Sequence, residues 1–442
     1  LIEATFSVNG VVGYKIGFVQ DLLYFFETPV SFFLVAAAIV VLVFLSMPLV
    51  PHYGSDAEWY ISIANGHIGD VIKPFSGRFL QPFLAGQLSP FLGISVDQSF
   101  FFIAILSLLL FLFLNAFLLK KISLPPLLLF PIFLLPYLGT ILNAFFLPDL
   151  FYGLLVILFF VFLFYDMEVA SLLVLFPLFL TRESTVLLGA VLLAVSLFRS
   201  KKLFAVAVFV VMIISIFTVQ NVADIGLPNV HNLGNLSYLV LKVPYNFLNN
   251  IFGVKLWVNT LSNNCDPVFT SGLPMGLSVG SINKVGFCGF DASFPLNAVL
   301  TFLTIFGIAP LVLFYLLVPR LKAAFRDLPL WLVVAVIYGL ACYFMSVFAT
   351  GTIQKFMGYG WPAFLLAVPF LVSIFVWSDR RFLVKLSLIQ LFVAWLPVAV
   401  SGIKIGSIFG FLIAFPLVLM AYFYAYRLLR GQESAERPGI PN

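Results

Sequence analysis

Ionisable side chains are scarce in this sequence: Asp, Glu, Lys and Arg together make up 9% of 442 residues. A soluble domain carries about 25%, so a chain with an ordinary water-facing surface is excluded. Histidine is nearly absent as well, and the spacing of His52, His67 and His231 matches no zinc motif. No Gly-x-Ser-x-Gly elbow, His-Glu-x-x-His pair or phosphate-binding loop occurs, which removes the usual signatures of hydrolases, metalloproteases and nucleotide-binding enzymes. The formal charge of +5 is carried by short clusters between apolar runs, a pattern that sets membrane topology and does not bind nucleic acid.

Apolar residues fill the space that charge leaves. They make up 62% of the chain, and mean hydropathy is +1.14. Runs near the roughly 18–20 residues needed to cross a hydrocarbon core recur throughout. In lipid a spanning backbone satisfies itself as helix or closed barrel, and the alternating pattern of a barrel is missing. The chain therefore reads as an all-α polytopic membrane protein of about twelve transmembrane helices (11–13) with outer-face interfacial helices. The spans fall near 31–50, 98–119, 125–140, 146–165, 168–181, 184–198, 203–219, 294–318, 330–349, 360–377, 383–400 and 406–426. The segment before the first span, with Lys15, Asp21 and Phe25–Phe26, reads as an interfacial helix.

Basic residues test this map. With both termini cytoplasmic, Lys120, Lys121, Arg199, Lys201, Lys202, Arg320, Lys322, Arg326, Arg380, Arg381, Lys385, Arg427, Arg430 and Arg437 fall inside, fourteen in all. Lys73, Arg78, Arg182, Lys242, Lys255, Lys284, Lys355 and Lys404, eight in all, fall outside over much more loop, as the positive-inside rule requires. Residues 1–426 form one transmembrane domain with two large outer loops, 51–97 and 220–293, and residues 427–442 are a short cytoplasmic tail. The inside connections are too short for a nucleotide or nucleotide-sugar domain. Cys265 and Cys288 share the second outer loop, and cysteines on the oxidising side of a membrane tend to pair, so a Cys265–Cys288 disulfide is expected, with two free thiols as the alternative.

Five polar groups stand out against the apolar background. Pro51–Gly66 holds Asp56, Glu58, Trp59 and Tyr60 and has the spacing of an amphipathic helix on the outer interface. Asp56 and Glu58 are either catalytic acids or simply first-turn carboxylates that suit the helix dipole. Arg78 stands alone in an apolar stretch, either snorkelling to headgroups or clamping a phosphate through its bidentate fork. Asp149, after Pro148, opens the fourth span, where a charged acid costs roughly 2.5–3.5 kcal/mol unless a polar site receives it; Pro-Asp is also an ordinary helix start. Arg182 and Glu183 form the outer turn between the fifth and sixth spans, and Lys355 is a single cation at an outer helix mouth.

Taken in order, these groups resemble the C-type (GT-C fold) membrane glycosyltransferases. Asp56-x-x-Trp59-Tyr60-x-x-x-Ala64-x-Gly66 is similar to their first luminal loop. Pro74-Phe75-x-x-Arg78-x-Leu80-x-Pro82 is similar to a stretch common in prokaryotic members. Pro148-Asp149, Arg182-Glu183 and Gln354-Lys355-Phe-x-x-x-x-Trp-Pro fall where such proteins carry polar residues. The resemblance implies a sugar donor linked to a polyprenyl phosphate or diphosphate, and a lipid, glycan or protein acceptor. Asp56, with Glu58 as its competitor, would be the general base of an inverting transfer. Arg78, Arg182 or Lys355 would hold the lipid phosphate, and Tyr60 would line the site. Asp149 or Glu183 would orient the acceptor or bind a divalent cation, the one cofactor this family suggests. The chain departs from many members in ending without an appended outer domain.

The expected location is a prokaryotic plasma membrane with the site facing outward, or an endoplasmic reticulum membrane with the site facing the lumen. Three other readings compete: a transporter, a flippase for a lipid-linked glycan, and a non-catalytic subunit of a complex. Transporters place ionisable groups near the midplane, whereas here the candidate groups gather at the outer helix mouths.

Overall fold

The computed structural model describes residues 56–121, 136–227, 235–258, 285–291, 293–317, 328–349, 353–375, 380–402 and 407–434. The first expected span, the segment before it, Cys265 and Lys404 lie outside the described residues. The chain is a helical integral membrane protein. Among the described residues four helices are long and apolar enough to cross a membrane, or five if one bent pair counts as a single span. The figure of about twelve spans remains an expectation. The third expected span is represented only by its end, α4 (Pro136–Asn143).

The chain enters through α1 (Ala57–Ala64) and α2 (Leu80–Leu92), joined by single 3-10 turns at Ile68–Asp70 and Phe75–Gly77. Helix α3 (Val96–Lys121) follows. Its start is set by a reciprocal cap: Gln98 N–H donates to Ser95 Oγ (3.2 Å) and Ser95 N–H donates to Gln98 Oε1 (2.9 Å), satisfying two N-terminal donors that have no helical partner. Its end carries Lys120 and Lys121, cations that suit the negative end of the helix dipole.

Three shorter helices come next: α5 (Asp149–Phe164), α6 (Glu168–Thr181) and α7 (Thr185–Phe198). Phe117 of α3 stacks on Tyr165 (6.0 Å), and Lys121 lies 6.0 Å from the same ring, so α3 and α5 share a level at this end. The same end holds the Lys201–Glu168 ion pair (2.7 Å) and Arg199, which donates to the Leu328 carbonyl. At 1.5 Å per residue, the 26 residues of α3 rise about 39 Å and the 16 of α5 about 24 Å. The far end of α5, where Asp149 sits, therefore stops roughly 15 Å short of the tip of α3 along the axis. Near the tip of α3, Phe100 and Phe101 pack against Phe146 and Phe145, which lead into α5, at the end of the bundle away from Lys121, Arg199 and Lys201.

Helix α8 (Lys202–Ala223) packs on α6 and α7 and leaves Leu203, Val206, Phe209, Ile214 and Phe217 exposed. Lipid tails are the solvent such a face requires. Its end is tied back to the first loop. Leu227 N–H donates to the Val71 carbonyl (2.9 Å), Lys73 N–H to the Leu227 carbonyl (3.2 Å), and Ser76 Oγ to the Ala223 carbonyl (3.2 Å). Lys73 also pairs with Asp224. Gly226 makes the strap possible, because a Cβ there would stand 2.3 Å from the Val71 oxygen.

The second large loop, expected on the outer side, contains an amphipathic helix, α9 (Asn235–Phe252), and an antiparallel pair, β1 (Val254–Val258) with β2 (Val285–Phe290). The hairpin is an addition to the all-α expectation. Cys288 lies on β2. Asn246 and Asn250 of α9 donate to the carbonyls of Phe348 and Val347 (3.1 and 3.2 Å) at the end of α12 (Leu330–Ala349), replacing partners that a helix C-terminus lacks.

The stretch expected as one span at 294–318 is broken. Helix α10 (Ser293–Phe306) and α11 (Ala309–Leu317) meet at Gly307 with a 76° bend, and Gly307 has φ +50, which a side chain would strain. After α13 (Ile353–Phe375) come α14 (Arg380–Gly402) and α15 (Ser407–Ser434), and these two supply the missing partners. Gln390 of α14 accepts from Ile308 N–H (2.7 Å) and donates to the Phe306 carbonyl (3.0 Å), while Tyr422 of α15 donates to the Gly307 carbonyl (2.6 Å). A break inside lipid is tolerated only when such groups are satisfied. Gln390→Leu keeps the volume but strands two buried backbone groups. Each costs about 1–3 kcal/mol, so the purified protein is expected to melt several degrees lower; an unchanged melting temperature would contradict this account.

Candidate functional site

At the end of the bundle away from Lys121, Arg199 and Lys201, polar residues from distant parts of the chain come together. Arg78 directly follows the Phe75–Gly77 turn, held in place by the strap to α8. Its guanidinium makes a fork with Glu183: Nε donates to Oε2 (2.7 Å) and Nη2 to Oε1. Nη1 donates to the hydroxyl of Tyr60 on α1 (3.2 Å). The ring of Phe75 lies 5.3 Å beneath the guanidinium carbon and meets Tyr60 edge-on at 5.9 Å.

Arg182, the C-cap of α6, is in extended conformation and turns the chain towards α7. Its Nη2 donates to Asp149 Oδ1 at the first turn of α5, and its guanidinium lies 4.9 Å over the ring of Tyr359 on α13. The Arg182 side chain is 2% exposed and that of Asp149 10%. The Arg182 Nε–H has no protein acceptor. Below it, Tyr359 meets Tyr152 edge-on (5.6 Å), and the hydroxyls of Tyr152 and Tyr338 are 2.8 Å apart. A polar column thus runs from Arg182 into the bundle.

The two pairs differ in access. The Glu183 side chain is 51% exposed and that of Arg78 13%, so this pair forms the rim and Arg182–Asp149 the floor. Burial opposes the charge on Arg182, but Asp149 outweighs it and the guanidinium pKa is raised. Burial likewise opposes ionisation of Glu183, but Arg78 outweighs it and the carboxyl falls to about 2. With two arginines and two carboxylates, the formal charges of the cluster cancel.

The structure brings together Tyr60, Arg78, Asp149, Arg182 and Glu183 from the groups singled out in the sequence. Asp56 stands at the N-cap position of α1, one turn before Tyr60, without a side-chain capping hydrogen bond, and is half-buried, whereas Glu58 is exposed. Lys355 lies in the first turn of α13, one turn before Tyr359; its side chain is outside the described residues. Asp149 and Glu183 are each engaged by an arginine, and among the described residues no three His, Cys, Asp or Glu side chains come together as a metal site. Tyr359, Tyr152 and Tyr338 were not singled out in the sequence. The available signal was their position: tyrosines are expected at membrane interfaces, and these are buried in apolar helices. Scans of family models, curated proteins and solved structures find no match to this chain.

Proposed function

We propose that the chain is an inverting membrane glycosyltransferase of the C type, which takes a sugar from a polyprenyl-phosphate donor and works at the extracytoplasmic face. The observation that carries this reading is the convergence of two arginines and two carboxylates from separate segments beside the helix that bears Asp56. The cluster lies at the end of the bundle opposite Lys121, Arg199 and Lys201, which the positive-inside rule makes the outer end.

Asp56 takes the proton of an acceptor hydroxyl, and the oxygen attacks the anomeric carbon. The bond from that carbon to the phosphate oxygen breaks, and the lipid phosphate leaves with the electron pair. Guanidinium donors stabilise the leaving group because it gains charge in the transition state. The deciding experiment is sugar transfer by purified protein in lipid, from a polyprenyl-phosphate sugar to a mixed pool of lipid and glycan acceptors; no transfer from any such donor would refute the reading.

The helix break at Gly307 favours a second reading, transport or flipping of a lipid-linked glycan, since broken helices line many transporter sites. Against it, the backbone groups at this break already have partners in Gln390 and Tyr422. Donor crossing between leaflets without transfer would favour the carrier.

A further inference from the structure

We infer that Glu183 is a displaceable plug: a phosphate oxyanion takes the place of its carboxylate on Arg78, while Arg182–Asp149 stays closed beneath. The inference rests on the transferase reading only for the source of the phosphate, a lipid headgroup.

Three observations carry it. First, the Glu183 carboxylate occupies both Nε and Nη2 of Arg78 and Tyr60 takes Nη1. Two phosphate oxygens bound at the Nε/Nη2 edge use the same two donors, so binding at that edge and the Glu183 pair are mutually exclusive. Second, Glu183 is half exposed and can turn outward into water with little loss of burial. Asp149 has no such exit, since leaving would strand Arg182, 2% exposed, as a buried charge. Third, Arg78 does not depend on Glu183 for its position, because Tyr60 and Phe75 hold the guanidinium from the other sides. Charge points the same way. By formal charge the two arginines and two carboxylates cancel, and a phosphate monoanion added without displacement would make the count negative, whereas exchange for Glu183 at the fork keeps it at zero. Arg78, and not the more buried Arg182, is then the cation that meets the ligand.

The test is binding of dodecyl phosphate to the full chain in uncharged detergent, followed by calorimetry, with inorganic phosphate as a parallel titrant. Glu183→Gln and Glu183→Ala remove the competing charge and should each bind dodecyl phosphate at least about tenfold more tightly than the unsubstituted chain. Arg78→Gln should lose binding. Melting curves identify any variant that fails to fold, and the two Glu183 variants back each other up. Inorganic phosphate binding as tightly as dodecyl phosphate would assign the ligand to the free anion and still support displacement. If both folded Glu183 variants bind no more tightly than the unsubstituted chain, or none of the three binds, the plug is refuted. Sugar transfer is not read here, so the transferase reading can fail while the exchange stands.

Discussion

Asp56→Asn is expected to lower sugar transfer by roughly 10²–10⁴-fold, the usual worth of a general base, while donor binding survives. The substitution separates basicity from structure at this position. Asp56 stands at the N-cap position of α1 but its side chain makes no capping hydrogen bond, so the isosteric Asn should leave the helix and Tyr60 one turn on in place. Glu58→Gln is the internal control. Glu58 is exposed on α1, away from the Asp56–Tyr60 face, so its loss should change transfer little. Full activity in Asp56→Asn together with a dead Glu58→Gln would mean that the other acid is the base. If neither substitution matters in an active preparation, the first-loop assignment fails.

The second large effect is on stability and concerns the buried Arg182–Asp149 pair. Arg182→Met leaves the Asp149 carboxylate nearly buried without its cation, and Asp149→Leu strands Arg182 in the same way. Breaking one side of a buried pair costs about 3–5 kcal/mol, so each single variant should unfold far more readily in detergent. The double variant should regain much of the loss, because replacing both partners removes the uncompensated charge. The half-exposed Glu183 provides the contrast: Glu183→Gln should lower the melting temperature less than either single variant, as a partly solvent-facing pair contributes less than a buried one. Equal, small effects at all three positions would show that Arg182–Asp149 is solvated and not a buried floor.

Helices were legible because their signal is local. Apolar length and flanking lysines and arginines placed α3 against the expected span at 98–119 and α12 against 330–349. Pro148-Asp149 opens α5, and Thr181–Ser184 turns α6 into α7, as expected. The break at Gly307 was not legible, since an apolar run through a glycine looks continuous until Gln390 and Tyr422 arrive from 80 or more residues away to satisfy it.

The polar residues of the site were also visible one by one, because charge is costly in lipid and therefore conspicuous. Their pairing was not. Arg78 and Glu183 are 105 residues apart, and Asp149 and Arg182 are 33 apart; no local pattern says which acid meets which base. By itself the sequence determined the solvent of this protein, its helical backbone and the identity of its few buried charges, all of which follow from hydropathy and local spacing. Only the tertiary structure decided that Arg182–Asp149 lies sealed at the floor while Arg78–Glu183 faces out, because exposure is a property of packing between distant segments.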